Sequence, residues 1–131
     1  MTANTLLKTK SIITGFFGIG MLFFYKMLMP IYGITLEQSG MMFTQWSGVS
    51  FLGIGLICWF AGNAEKSNLF DGILLSLFVC DACGFFVSLT WQLKGVANAL
   101  GWSTVLLWLV FAAGLGYFRF IKKDQNMEYT V

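Results

Sequence analysis

Three residues with reactive side chains fall within one short run. Cys80, Asp81 and Cys83 lie in Leu77-Phe78-Val79-Cys80-Asp81-Ala82-Cys83-Gly84. Asp81 sits near the middle of an apolar stretch from about Gly72 to Leu93. A carboxyl at the centre of a membrane-spanning helix costs roughly 2.5–3.5 kcal/mol on insertion scales, so it is expected to face a helix bundle or a wet cavity rather than lipid. Three, seven and eleven positions further on come Gly84, Ser88 and Gln92, a small and polar stripe on one helical face. No cation is expected at the same depth, and burial without one favours the neutral acid. Trp108, central in the last apolar stretch, offers an indole N–H as the expected partner. Asp81 then reads in two ways: a neutral residue bridging helices, or a proton relay or ligand-binding carboxyl. With Asp81 neutral and bonded to Trp108, Asp81→Leu is expected to leave the protein as stable or more so. A loss of more than about 2 kcal/mol would instead indicate a structural network with unpaired partners.

Cys80 and Cys83 have the Cys-x-x-Cys spacing of thiol–disulfide enzymes. Their surroundings argue against that chemistry. Redox thiols gain reactivity from a helix N-terminus or a neighbouring cation, whereas an apolar setting beside an acid disfavours the thiolate. A membrane disulfide generator also needs a second, water-accessible pair, and Cys58 alone remains, inside another apolar stretch. Buried small packing residues is the expectation. Histidine is absent, which removes imidazole triads and His-ligated haem, copper or non-haem iron. Neither a metal site nor a cofactor is expected.

The surrounding elements are apolar to a degree no water-soluble globule supports. Of 131 residues, 57% are hydrophobic and 11% charged, with mean hydropathy +0.75; a soluble domain is about a quarter charged. The net charge of +2 does not suggest a nucleic-acid binder. Apolar stretches run over about 11–29, 43–61, 72–93 and 102–121. Each matches the ~20 residues a helix needs to cross ~30 Å of hydrocarbon. They are apolar on every face, so a spanning barrel with alternating polarity is excluded. The expected fold is all-α: a single membrane-embedded, antiparallel four-helix bundle over residues 1–131.

Pro30 and Gly33 are expected to end the first helix, Gly62 and Asn63 the second, and Asn98 to cap the fourth. Lys8, Lys10, Lys66, Arg119, Lys122 and Lys123 fall on one side of such a bundle, Lys26 and Lys94 on the other. The positive-inside rule then places both termini in the cytoplasm, for a multi-pass protein of the inner (plasma) membrane. Trp46, Trp91, Trp102, Tyr25 and Tyr32 would mark the outer interface, Trp59 and Tyr117 the inner one.

Small residues at helical spacing mark expected packing faces: Gly15, Gly18, Gly53, Gly55, Gly84 and Gly116, with Ser11, Thr14 and Ala112. Met27, Met29, Met41 and Met42 cluster around the first outer loop and could equally line an apolar mouth or form an interfacial segment lying on lipid. The last residues, Tyr129-Thr130-Val131, have the apolar-x-apolar form of a PDZ-type ligand, a short and frequent pattern.

Pro30-Ile31-Tyr32-Gly33 with Leu36 and Gly40, Gly48 with Leu52-Gly53-Ile54-Gly55-Leu56, Asn98-Ala99-Leu100-Gly101-Trp102 and Gly114-Leu115-Gly116-Tyr117-Phe118 together resemble small four-helix bacterial integral membrane proteins of unknown function, DoxX-like in size and layout. The likeness covers most of the chain. It implies the architecture and carries no catalytic residues. A polar residue such as an amide is frequent in the third helix of such proteins, which makes an acid at Asp81 a departure. Four-helix proton-coupled multidrug exporters keep their essential carboxylate in the first helix, where this chain has none.

The leading expectation is a non-enzymatic membrane protein acting through helix contacts, as a homo-oligomer or a small subunit of a larger complex. Its partners would be the lipid bilayer and a protein or a second copy. The first alternative is a small transporter or a protein binding an apolar small molecule or lipid, using Asp81, Trp108, Ser88 and Gln92. The second is a thiol oxidoreductase using Cys80 and Cys83.

Overall fold

The computed structural model describes residues 2–122. Lys123 and the Tyr129-Thr130-Val131 terminus lie outside the described residues. Five α-helices follow in order: α1 (Ala3–Phe23), α2 (Tyr25–Ile31), α3 (Gln38–Ala61), α4 (Asn68–Leu93) and α5 (Gly101–Gly116). A π-helical turn, Tyr117–Ile121, prolongs α5. Four stretches are long and apolar enough to cross a membrane: α1, α3, α4 and α5 with its π-helical turn.

The boundaries differ from expectation at informative places. The first helix starts at Ala3, not near Ser11, because the Thr2 hydroxyl accepts from the Thr5 backbone N–H and caps it. It stops at Phe23, and a separate short helix, α2, carries Pro30 in its last turn. Gly33 then reverses the chain with φ +73°, a left-handed conformation that suits glycine. Its N–H donates to Pro30 O and that of Ile34 to Met29 O, closing the end of α2. Ser67 caps α4 through Phe70 N–H.

Asn98 does not cap α5, which begins after Leu100. Its side-chain oxygen instead accepts from Leu100 N–H, and its amide donates to Ile31 O at 2.8 Å. Asn98 N–H also donates to Tyr32 O. One residue thereby ties the α4–α5 loop to the end of α2.

The long helices form two tightly packed antiparallel pairs, α1 with α3 and α4 with α5. Small residues make the α1–α3 seam close. A Cβ on Gly48 would lie 2.7 Å from Leu22 N, and one on Gly18 would lie 2.9 Å from Leu52 N. A Cβ on Gly55 would come within 3.5 Å of the Gly15 backbone. Ser11 Oγ donates to Gly55 O at 2.6 Å, and Gln45 Nε2 to Leu22 O at 3.2 Å. Such close backbone approach with interhelical hydrogen bonds is how helices associate where water supplies no driving force. In the α4–α5 pair Gly84 receives the Trp108 ring and Gly116 receives Phe78. A Cβ on Gly15 or Gly53 would meet nothing within 4 Å, but the Gly15 backbone lies against Gly55, whereas Gly53 is exposed and not part of a packing face.

The two pairs meet in a core at one end of the bundle, where α1 and α4 start and α3 and α5 finish. Leu6, Leu7, Cys58, Ala61, Phe70, Leu74, Leu77, Phe111 and Leu115 form it. We call this the near end. The outer surface is apolar on every helix: Phe16 and Leu69 are each 75% exposed and Phe60 is 70% exposed. An apolar surface of this extent needs an apolar surrounding or a partner.

Candidate functional site

The core stops at a buried ion pair. Asp81 is fully buried and Lys10 is 3% exposed. Lys10 Nζ donates to Asp81 Oδ1 at 2.6 Å and to Oδ2 at 2.9 Å. The same ammonium lies 4.7 Å from the centre of the Phe111 ring and 5.6 Å from that of Trp108. One side chain of α1 is thus held by a carboxylate of α4 and two ring faces of α5, joining the two helix pairs.

This overturns the expected surroundings of Asp81. A cation does lie at its depth, and the Trp108 indole makes no hydrogen bond to it; Trp108 packs its face on Gly84 and lies against the Lys10 ammonium. The physical reason is the helix start. With α1 beginning at Ala3, Lys10 lies about two turns inside the helix, and its four-carbon stem carries the charge further inward. A signal was present. Leu6, Leu7, Lys10, Ser11, Thr14 and Gly18 repeat every three or four residues and share one buried stripe, with Lys10 in phase.

Beyond the pair, on the side away from the core, the helices part around a cavity of about 220 Å³. Its walls are Phe17 and Met21 of α1, Phe51 of α3, and Leu107, Trp108 and Phe111 of α5. Met29 of α2 and Tyr32 lie at its far end. Lys10 is the charged residue in this lining, and its charge is already matched by Asp81. The Thr14 hydroxyl, also in the lining, donates to Lys10 O within α1.

The other candidate residues are placed elsewhere. No α4 residue lines this cavity, so the stripe through Gly84, Ser88 and Gln92 is not its wall. Gln92 Nε2 donates to Asn98 O at 3.0 Å and fastens the α4–α5 loop; Ser88 is half-buried on α4. Cys80 and Cys83 are exposed free thiols on the outer face of α4, not buried packing residues, because Asp81 between them takes the inward direction. Cys58 is the buried one. The methionines separate: Met29 lines the cavity, Met29 and Met41 border a second hollow beside α2, and Met27 and Met42 are exposed. Among the described residues no group of three or more His, Cys, Asp or Glu side chains could hold a metal ion.

No protein-family model, no curated protein and no solved structure matches this chain.

Proposed function

We propose that this chain is an integral membrane protein that binds a small apolar molecule in the cavity beside Lys10, and that it is not an enzyme. One observation carries the reading: a cavity of about 220 Å³, walled by apolar side chains, ends on a charge that is neutralised in place. Protein interiors are otherwise close-packed, and a mostly apolar recess with a few convergent polar groups is the usual form of a small-molecule site. The glycine faces that motivate self-association are largely used within the chain, since Gly18, Gly48, Gly55, Gly84 and Gly116 all face its own helices.

In this reading the four long stretches span the bilayer as a four-helix bundle, with the exposed Phe16, Phe60 and Leu69 facing lipid. Lys10 leaves the flanking charge, being buried. Lys8, Lys66, Arg119 and Lys122 remain at the near end against Lys26 and Lys94 at the far end. That asymmetry puts the near end, with both chain ends, on the cytoplasmic side of the plasma membrane. Reporter fusions at the two chain ends test it: external activity from either one would reverse the orientation.

The binding reading is tested with purified protein in detergent micelles and 2-ethylnaphthalene as the probe, by equilibrium dialysis against protein-free micelles. Saturable retention is expected, and its loss in Leu107→Trp, which fills the recess. Retention no greater than in empty micelles, or unchanged by the filling substitution, overturns it.

A further inference from the structure

The polar end of the cavity indicates what kind of molecule it takes. We propose that the ligand is neutral and flat and bears a carbonyl oxygen that accepts a hydrogen bond from the Lys10 ammonium. This rests on the reading of the cavity as a ligand site.

A lysine ammonium has three protons and no lone pair. Asp81 supplies two acceptor atoms, and no other hydrogen-bond acceptor meets Lys10 Nζ among the described residues. Near the third proton lie the Phe111 and Trp108 rings. A buried donor without an acceptor is unfavourable, and ring faces compensate in part. Both rings also line the cavity, so an oxygen there meets an unfilled donor.

Charge then selects against ions. Among the described residues Lys10 is the sole charged one lining the cavity, and both Asp81 oxygens lie within 2.9 Å of its ammonium. A carboxylate would have to displace Asp81 or sit beside its negative charge in a low-dielectric setting; a cation would face Lys10. A neutral acceptor does neither.

Shape selects against a lipid tail. The polar group is at the buried end, so a lipid anchored by its headgroup at the interface would press a terminal methyl against the ammonium. The walls favour a flat molecule instead: the aromatic side chains of Phe17, Phe51, Trp108 and Phe111 line the cavity, with the ring centres of Phe51 and Trp108 5.9 Å apart. A dry cavity of about 150 Å³ accepts benzene. One of about 220 Å³ is suited to a fused two-ring system with a short substituent.

Three probes of nearly equal size separate the possibilities by the same dialysis: 2-acetylnaphthalene, 2-ethylnaphthalene and 2-naphthoate. The ketone is expected to bind about tenfold more tightly than the hydrocarbon, as one hydrogen bond to a charged group allows. The naphthoate is expected to bind more weakly than the ketone. In the Lys10→Met/Asp81→Leu double variant, which removes both charges together, the ketone's advantage should vanish while the hydrocarbon is still retained. Equal binding of ketone and hydrocarbon to the unaltered protein overturns the carbonyl proposal and leaves the apolar-ligand reading standing. Tighter binding of naphthoate overturns it in favour of an anion site. If no probe is retained, the binding reading falls and this proposal with it.

Discussion

The two ends of the bundle are built from the same four helices and similar residues, yet they pack differently. At the near end, Leu7, Leu74, Cys58 and Leu115 are almost completely buried against one another. At the far end, Phe17, Met21, Phe51 and Leu107 stand around open space. The boundary is the layer holding Lys10 and Asp81. Below it, α5 approaches α1 closely enough that Leu6 packs against Gly114; above it, the bulk of Trp108 lies between the helix pairs. A buried ion pair is a poor source of net stability, because desolvation offsets the attraction. Here it has a second consequence: it spaces the two helix pairs, and the space beyond it is the cavity.

The sharpest way to break the contrast is to unpair the charges. Asp81→Leu leaves the Lys10 ammonium in an apolar core and should cost about 3–5 kcal/mol. The sign is opposite to that expected for a neutral Asp81, because the carboxylate is paired with Lys10. Lys10→Met added to it should restore most of the loss. Unfolding in mixed micelles of denaturing and mild detergent reads both; a single variant as stable as the parent would mean that the pair does not hold the halves together.

Truncation on either side of that layer should differ next. Leu7→Ala opens a void in the dense end and should cost about 2 kcal/mol, the low end for such changes. Met21→Ala enlarges a space that already exists and should cost under about 1 kcal/mol. Equal losses in the same unfolding assay would show that the far end is packed as tightly as the near end.

The α1–α3 seam offers a smaller, paired comparison. Gly48→Ala puts a methyl against the Leu22 backbone, which cannot move aside as a flexible side chain could, and should cost about 1–3 kcal/mol. Gly53→Ala meets nothing and should be within about 0.5 kcal/mol of the parent. A larger effect at Gly53 would point to a neighbour from outside this chain and revive self-association.

Much of the framework was legible in the residues, and much of the site was not. Runs of apolar residues located four long helices to within a few positions at most ends, and Gly62 does stand at the end of α3. Gly18, Gly55, Gly84 and Gly116 were recognisable as contact positions, but nothing local told them apart from Gly53. Pro30 signals the end of the first helix, whereas the break falls at Phe24, where no proline or glycine marks it. Lys10 precedes the apolar run and so has the local character of a flanking tail residue. Its phase with Leu6, Leu7, Thr14 and Gly18 is the feature that places it on the buried stripe.

By itself the sequence determined the all-helical class and the number of long apolar segments. Those depend on quantities that run along the chain: the length of an apolar run and the hydrogen bonds that each helical backbone closes within itself. It also determined that an acid would be buried, since Asp81 lies mid-run with no polar flank nearby. The tertiary structure alone decided what that acid meets. Lys10 and Asp81 are 71 positions apart, and whether they touch depends on how far each helix is turned about its axis and how α1 lies against α4. The cavity has the same origin. It belongs to no segment, but to the distance at which two well-packed helix pairs are held by a charged pair and an indole ring between them.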